Sequence, residues 1–225
     1  MKIILLGAPG SGKGTYSRRL SPKLGIPAVS VGEALRKTRD DPELGPIIKD
    51  CQDRGVLCPD ELTVNVLKKR LEDPDCEKGF MLDGYPRNLH QAEAIDGEIP
   101  IDVVLKLNVP EEILIQKISA RRSCKECGDI YNLADIRLGD LHLPPMNPKV
   151  EGKCDKCGGE LVQRPDDAEE VVRDRMVVYK KETAPLIDFY NKKGLIMDVV
   201  VSAGPDIMTE KIMGQLKEKF GDMIA

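Results

Sequence analysis

The sequence predicts an α/β fold in which a five-stranded parallel sheet is flanked by helices and interrupted by a small helical insert and a cysteine-bearing segment. Two kinds of segment indicate the sheet and its helices. Short apolar runs without polar alternation are typical of strands that are covered on both faces. They alternate with segments whose apolar residues recur every three or four positions, as helices with one buried face require. We therefore expect right-handed crossovers that bring the carboxyl ends of the strands to one edge of the sheet.

The composition indicates a globular protein that folds unaided. The chain has 225 residues, 41% of them hydrophobic, and this length suffices for a sizeable core. Its net charge of −4 lacks the basic surplus of a nucleic-acid-binding protein. The apolar run after Lys2 is too short for a signal peptide, and nowhere do about 18 apolar residues occur together. We expect a cytoplasmic protein that binds neither nucleic acid nor membranes, and we expect it to be a monomer.

The first predicted element is a strand over residues 3–6, followed by a glycine-rich loop and a helix over residues 13–24. Residues 7–15 read Gly-Ala-Pro-Gly-Ser-Gly-Lys-Gly-Thr. Glycine, four residues, glycine and lysine form the pattern whose backbone N–H groups cradle phosphates at a helix N-terminus, and Lys13 would reach the β and γ phosphates. Gly14 intervenes before the hydroxyl of Thr15. The alternative is a turn that binds nothing, but the strand, the lysine and the hydroxyl favour a phosphate site.

A short extended piece around residues 28–29 is predicted next, and three short helices follow it. Ser30 and Glu33 form a capping box that begins the first. Asp41 and Pro42 are predicted to begin the second, which Gly55 ends, and the third runs from Pro59 to about residue 71. No long strand separates the first two helices, so residues 30–59 are predicted to form an insert between strands of the larger domain.

The remaining pattern predicts three more strands and three more helices. The strands are expected at residues 79–82, 101–109 and 195–201. The helices are expected at residues 110–121, 166–190 and 206–220, with Pro185 bending or breaking the second of them.

A second motif, Asp83-Gly84-Tyr85-Pro86-Arg87, follows a buried strand. An aspartate at the carboxyl end of that strand can organise water around Mg²⁺, which phosphoryl transfer requires. Arg87 offers a planar fork for a phosphate. Taken alone, the motif also fits a strand-ending turn with a surface arginine. Beside a phosphate loop the functional interpretation is favoured.

Two cysteine pairs indicate a metal site. The pairs Cys124-x-x-Cys127 and Cys154-x-x-Cys157 are compatible with tetrahedral coordination of a structural zinc ion by four thiolates. A glycine follows each pair and permits the tight turn such sites use. Iron also accepts four thiolates, and free thiols or disulfides are further alternatives. The other cysteines, Cys51, Cys58 and Cys76, lack this spacing and are predicted to be small core residues.

The chain resembles the adenylate kinases, which belong to the nucleoside monophosphate kinases. The features that carry the resemblance are the phosphate loop, the insert, the Asp83–Arg87 motif, the cysteine-bearing segment and a closing arginine-rich helix, in that order. The match is to the long form of the family, which has a zinc-binding lid. The resemblance implies a P-loop nucleoside triphosphate hydrolase-like core of residues 1–29, 60–121 and 165–225. It implies an acceptor-binding insert of residues 30–59 and a lid of residues 122–164. It implies reversible phosphoryl transfer from MgATP to AMP, giving two ADP, with structural Zn²⁺.

The resemblance also implies roles for the residues that match family motifs. The catalytic residues would be Lys13, Arg87, Arg121, Arg164 and Arg175. The ATP-binding residues would be Gly10, Ser11, Gly12, Lys13, Gly14, Thr15, Lys117 and Arg121. The AMP-binding residues would be Val31, Arg36, Cys58, Gly84, Arg87, Gln91, Arg164 and Arg175. Asp83 would hold water on Mg²⁺, and the four paired cysteines would bind the zinc ion.

Two positions depart from the family pattern. Lys117 stands where family members commonly present an arginine that stacks on the donor base, and Val31 stands where a threonine often contacts the acceptor. Gln91 matches a glutamine that reads adenine and favours AMP. A preference for UMP, CMP or another monophosphate is the alternative within this class. The lid carries an extra piece, residues 134–143, to which the resemblance assigns no function.

A hypothesis from a different class is a zinc-ribbon module that binds nucleic acid or protein. In that case nucleotide binding would only change the shape of the module. The cysteine-bearing segment argues against it, because Tyr131 is its one aromatic residue and it lacks a basic stripe. Phosphoryl transfer needs no side-chain nucleophile or base, so His90 and His142 are predicted to be bystanders. Arg122 and Arg173 are weaker candidates for phosphate contact.

Overall fold

The structure is a computed structural model that describes residues 1–221, and these contain strands in one large and two small sheets. In chain order the strands are β1 (Lys2–Leu6), β2 (Ala28–Ser30), β3 (Phe80–Asp83), β4 (Val103–Asn108), β5 (Arg121–Cys124), β6 (Ile130–Asn132), β7 (Ile136–Leu138), β8 (Leu141–Leu143), β9 (Leu161–Val162) and β10 (Ile196–Val200). Strands β5 to β9 form the two small sheets, and the other strands form the large one.

The α-helices of the described residues surround the large sheet. They are α1 (Lys13–Leu24), α2 (Val31–Lys37), α3 (Gly45–Asp53), α4 (Asp60–Leu71), α5 (Leu89–Asp96), α6 (Glu111–Ser119), α7 (Glu169–Val178), α8 (Pro185–Lys192) and α9 (Pro205–Phe220). No helix within residues 1–221 is long and apolar enough to cross a membrane.

The large sheet has the order β10-β4-β1-β3-β2, and all its neighbouring strands are parallel. This arrangement confirms the predicted five-stranded α/β core. The phosphate loop follows β1, α2 follows β2, and the Asp83–Arg87 motif follows β3. Because parallel strands end at the same edge, these three segments lie together there.

Alternate side chains of the central strand β1 pack into two different cores. Ile3 and Leu5 belong to the core that includes residues of α1, α6 and α9. Ile4 and Leu6 belong to the core that includes residues of α4, α5 and α8. The two faces of the sheet are therefore both covered, which explains why its strands read as continuous apolar runs.

Helix α3 begins three residues later than predicted, at Gly45 and not at Pro42. Asp41 does not cap it; its Oδ1 accepts hydrogen bonds from the N–H groups of Glu43 and Leu44, at 2.9 and 2.8 Å, and so holds a turn. A Cβ on Gly45 would lie 2.2 Å from the carbonyl oxygen of Arg39, so the chain doubles back tightly here. The helix starts at Gly45, with Pro46 in its first turn. The capping box at Ser30 is confirmed in part, since its Oγ accepts from the Glu33 N–H.

Arg121 was predicted at the end of a helix, but it lies in strand β5. Helix α6 ends at Ser119, and Arg121 pairs with Asn132 of β6 in an antiparallel ladder. The short lid strands carry two to four residues each, too few for a periodic pattern in the sequence.

The predicted helix over residues 166–190 is divided into two. A 3-10 turn precedes α7, and a π-helical turn at Tyr179–Thr183 separates α7 from α8. Pro185 has no N–H to donate, and the π turn places it in the first turn of α8, where none is needed.

Candidate active site

One cavity at the carboxyl edge of the large sheet brings together the residues predicted to bind nucleotides. Its lining includes every one of them except Ser11, which is buried with its Oγ beside Gly7. The residues thus brought together are Gly10, Gly12, Lys13, Gly14, Thr15, Val31, Arg36, Cys58, Asp83, Gly84, Arg87, Gln91, Lys117, Arg121, Arg164 and Arg175. His90 and His142 lie outside this lining.

The phosphate loop places Lys13 at the first residue of α1. Gly12 caps the helix in the left-handed conformation, with φ 101°, which suits glycine. The Lys13 Nζ donates hydrogen bonds to the carbonyl oxygens of Gly7 and Ala8, at 2.6 and 3.0 Å. The ammonium is therefore held over the loop that is predicted to cradle phosphates.

Burial lowers the pKa of Lys13 to about 7, although the nearby carboxylate of Asp83 raises it and the surrounding arginines lower it further. A charged lysine here is unfavourable until an anion arrives. The same burial raises the pKa of Asp83. Both shifts mean that the negative charge of a polyphosphate would stabilise this site.

This shift predicts proton uptake when nucleotide binds. At pH 8 Lys13 is mostly neutral in the empty protein, because its pKa is about 7. A bound triphosphate favours the ammonium, so binding is expected to take up as much as about one proton at pH 8 and less at pH 6. Titration calorimetry of ATP in two buffers of different ionisation enthalpy measures this. Lys13→Arg, whose guanidinium stays charged, should abolish the part due to Lys13. Equal heats in both buffers at pH 8 would contradict the low pKa.

Asp83 ends β3 and faces the first turn of α1. A Cβ on Gly14 would lie 3.3 Å from the Asp83 Oδ2 and 3.0 Å from the Cδ1 of Ile130. A side chain directly after Lys13 would therefore crowd the carboxylate and Ile130, and glycine avoids this crowding. Within residues 1–221 the Asp83 side chain has no hydrogen bond or ion pair to protein, so it is free to hold water on a metal ion.

The turn after Asp83 is built to position Arg87. Gly84 has φ +79°, and a Cβ there would lie 3.0 Å from the Arg87 Nη2. The Arg87 Nε donates to the Gly84 carbonyl at 2.8 Å, and the Thr183 hydroxyl donates to the Arg87 carbonyl at 2.7 Å. Protein contacts fix the guanidinium, and no carboxylate of residues 1–221 forms an ion pair with it, which leaves its charge for a ligand.

Two further arginines of the cavity are half-buried and have no partner within residues 1–221. Arg36 and Arg87 approach the same glycine, since a Cβ on Gly32 would lie 3.5 Å from the Arg87 Nη2 and 3.6 Å from the Arg36 Nη1. Arg36 and Arg164 make no side-chain hydrogen bond or ion pair in the described part of the chain. Burial and repulsion from Arg121 and Arg36 lower the pKa of Arg164 to about 9. Such crowding of like charges is unfavourable unless an anion binds between them.

The other two arginines are paired, and their partners escaped the sequence analysis. Arg121 donates to both carboxylate oxygens of Asp167, with Nε to Oδ2 at 2.9 Å, and Asp167 is fully buried. Arg175 donates to Asp166 at 3.0 Å and lies 3.7 Å from Asp167. The signal was the adjacent acidic pair before α7, which alone reads as helix-capping charge. Asp166 and Asp167 hold the guanidiniums of Arg121 and Arg175, both of which line the cavity.

Gln91 is held by Asp60, which the sequence analysis also missed. The Gln91 Nε2 donates to the Asp60 Oδ1 at 2.6 Å, and its Oε1 accepts from the Arg87 N–H at 2.8 Å. Asn88 and His90 share the same carboxylate. Asp60 thus links α4 to the turn that carries Arg87, and it leaves one amide hydrogen and one lone pair of Gln91 for a ligand.

The four paired cysteines converge, as predicted, and fit a tetrahedral metal. Their Sγ atoms all lie within 4.8 Å of one another, with Cys124 to Cys157 at 3.5 Å and Cys127 to Cys154 at 3.6 Å. Thiolates bound to zinc at its usual bond length stand about 3.8 Å apart. The Tyr131 hydroxyl lies 3.6 Å from the Cys154 Sγ and accepts from the Asp155 N–H at 2.7 Å. These four thiolates leave no open position for catalysis.

Removing half of the cysteine cluster is expected to destabilise the segment that it joins. Few large apolar side chains support this segment, so a bound metal would supply much of its folding free energy. Cys154→Ala with Cys157→Ala should abolish bound zinc, measured by atomic absorption, and lower the Tm by on the order of 10 °C. Cys51→Ala, at a buried thiol elsewhere, should leave the zinc content unchanged. An unaltered Tm in the double variant would contradict a structural metal.

Comparison with known proteins agrees with this geometry. A family model described as adenylate kinase matches residues 5–195. The chain is 49% identical to the adenylate kinase of Archaeoglobus fulgidus over 205 residues, covering 88% of this chain and 90% of that protein. It is 45% identical to that of Thermodesulfovibrio yellowstonii over 225 residues, covering 97% and 100%. It is 46% identical to that of Methanosarcina barkeri over 224 residues, covering 97% and 99%. The chain therefore belongs to the adenylate kinase family.

Proposed function

We propose that the chain catalyses reversible phosphoryl transfer from ATP to AMP, giving two ADP. One observation carries the proposal. The cavity that begins at the phosphate loop also holds Arg36, Arg87 and Arg164, which are half-buried cations without carboxylate partners among residues 1–221. A site for one triphosphate would not need this second group of cations. Two polyanions held end to end would.

The donor is assigned to the phosphate loop. Its backbone N–H groups and the Lys13 ammonium would bind the β and γ phosphates at the N-terminus of α1. Asp83 and the Thr15 hydroxyl would hold Mg²⁺, directly or through water, because both line the cavity beside the loop. Mg²⁺ supplies neutralisation of the phosphate oxygens that face each other.

The acceptor is assigned to Arg36 and Arg87, whose guanidiniums converge near Gly32 of the insert. In the transfer, an oxygen of the AMP phosphate forms a bond to the γ-phosphorus, and the bond from that phosphorus to the β–γ bridging oxygen breaks. Both products are ADP. The attacking oxygen is already ionised near neutral pH, so no side chain has to remove a proton.

Arg121, Arg164 and Arg175 are assigned to the transferred phosphoryl group. They approach from the lid strand β5, from the residue before the 3-10 turn and from α7. Guanidiniums fixed before the reaction stabilise equatorial oxygens without reorganisation, which is the main source of catalysis in this chemistry. We assign residues 122–164 to a lid, whose closure would bring Arg164 in and keep water from the donor.

Steady-state assays of the purified, metal-replete protein test the proposal. Incubation with ADP should yield ATP and AMP in equal amounts, and kcat/KM should be highest for AMP among AMP, CMP, UMP and GMP. A protein that leaves ADP unchanged contradicts the proposed reaction, whereas a preference for UMP or CMP reassigns the acceptor only. We also propose a monomer, for which activity per chain should be independent of protein concentration.

A further inference from the structure

The extra piece of the lid, residues 134–143, forms a hairpin of β7 and β8 that turns at Gly139 and Asp140. Ile136 and Leu143 are opposite each other in this ladder and are buried, at 2% and 8% exposure. Arg137 and His142, the next pair, are exposed and share contacts with Asp135. The hairpin therefore has one apolar face, to which Leu138 and Leu141 also belong, and one polar face with Arg137 and His142.

This hairpin packs on the core and not on the cysteine cluster to which it is joined. Ile136 and Leu143 belong to the same apolar cluster as residues of β1, α1, α6 and α9. The cysteine cluster packs separately around Tyr131. Directly after the hairpin, Pro144 lies against the turn before α9, where a Cβ on Gly204 would be 3.1 Å from the Pro144 Cγ. The hairpin thus spans from α6 to the β10–α9 turn.

From this position the hairpin lines one end of the active-site cavity. That end is lined mainly by apolar side chains, among them Ile118, Ala134, Ile136 and Leu143, with Lys117 and Asn132 as polar members. Ile118 also touches the phosphate loop, since a Cβ on Gly10 would lie 2.7 Å from its Cγ1. The apolar end therefore continues from the loop, on the side of α6, away from Arg36 and Arg87 of the acceptor site.

We propose that this hairpin forms a wall of the donor-base site, in which Ile136 and Leu143 pack against the base of the triphosphate and select a purine. The inference rests on the proposed function, because it takes the phosphate loop as the donor site. A triphosphate on the loop extends its nucleoside along the cavity, and the apolar end offers the nonpolar surfaces that a flat base requires.

Lys117 explains why such a wall is useful in this chain. Its ammonium makes no hydrogen bond or ion pair within residues 1–221, and a lysine stacks on a base less well than a guanidinium. Its carbonyl accepts from the Asn132 Nδ2 at 2.7 Å, which ties the end of α6 to the chain that leads into the hairpin. Contact from the hairpin replaces stacking that Lys117 does not supply.

The test is a set of truncations on one strand. Ile136→Ala removes the buried side chain, and Leu138→Ala is its matched control, because Leu138 lies two residues along β7 at 42% exposure. Ile136→Ala is expected to raise the KM for ATP about tenfold, with kcat and the KM for AMP within twofold of the parent. The preference for ATP over CTP, as a ratio of kcat/KM, should fall by a similar factor. Leu138→Ala should change none of these values.

The outcomes separate this inference from the proposed function. If the parent enzyme converts ADP but Ile136→Ala lowers only the Tm, the hairpin is a structural brace and the inference is wrong. If the KM for AMP rises instead, the hairpin serves the acceptor. If the parent protein does not convert ADP, the proposed function itself fails. Ile136→Val, which removes one methyl group, gives the same comparison should the alanine variant not fold.

Discussion

Lys13→Met is expected to lower kcat by about 10³-fold or more while leaving the fold intact. The lysine ammonium is the charge that we assign to the β and γ phosphates, and within residues 1–221 its hydrogen bonds go to the loop carbonyls of Gly7 and Ala8. Removing one preorganised donor at a developing charge typically loses 10²- to 10³-fold in kcat, and the lysine also aligns the donor. Turnover with saturating ATP and AMP measures the loss.

The stability of the Lys13→Met variant should not fall with its activity. Burial lowers the pKa of Lys13 to about 7, whereas an unfolded chain keeps its lysine near the ordinary 10.5. Between these values the unfolded state binds more protons, so the free energy of unfolding rises with pH from about 7 to 10.5. Methionine removes this dependence, and the variant should match or exceed the parent Tm at pH 7.

Lys106→Met is the matched control for charge and size. Lys106 lies in β4 of the same sheet, but its ammonium pairs with Asp198 outside the active-site cavity, at 2.9 Å. This variant should keep its kcat within twofold. A Lys13→Met protein with near-normal turnover, or one as inactive as an unfolded sample with a lowered Tm, would contradict the assignment of the loop.

The fold was predictable because its strands and helices carry long, regular patterns. The apolar run of β1 and the spacing of Tyr16 and Leu20 in α1 each report burial directly. The start of α3 was not predictable from the Asp41–Pro42 pair, because a contact between Gly45 and Arg39 decides it. The strands of the lid were missed because each has four residues or fewer.

The site was predictable where a residue type and a motif coincide. Lys13 and Arg87 lie in motifs that imply phosphate chemistry, and both line one cavity. Their roles stay predictions, as do the domain boundaries. Asp60 and Asp167 were missed because they act on other side chains across 31 and 46 residues of sequence. No local pattern encodes such a pairing, and only the fold brings the partners together.

The hairpin shows a third case. Residues 134–143 have no motif, and their alternation of Ile136, Leu138, Leu141 and Leu143 predicts at most a short amphipathic ladder. What makes them relevant to the site is their position beside α6 and the β10–α9 turn. Sequence gives the apolar character of this segment, and tertiary structure decides which surface it covers.

Arg164→Met and Arg121→Met are expected to lose activity alike but to differ in stability. Each arginine lines the cavity and is assigned to the transferred phosphoryl group. Each variant should lower kcat by about 10²- to 10³-fold, because one preorganised donor is lost. Arg173→Met, on α7 but exposed and paired with Glu169, is the control and should keep its activity.

The difference in stability follows from what each guanidinium leaves behind. Arg121 is bonded twice to Asp167, whose carboxylate is 0% exposed, so its loss leaves a buried charge and should lower the free energy of unfolding by about 3 kcal/mol. Arg164 has no such partner, and repulsion from Arg121 and Arg36 lowers its pKa to about 9. Removing it relieves that repulsion, so denaturant melts of Arg164→Met should match or exceed the parent. An equal loss of stability in both variants would mean that Arg164 holds the fold, whereas a loss in Arg121→Met alone separates an arginine kept for the anion from one that also supports the protein.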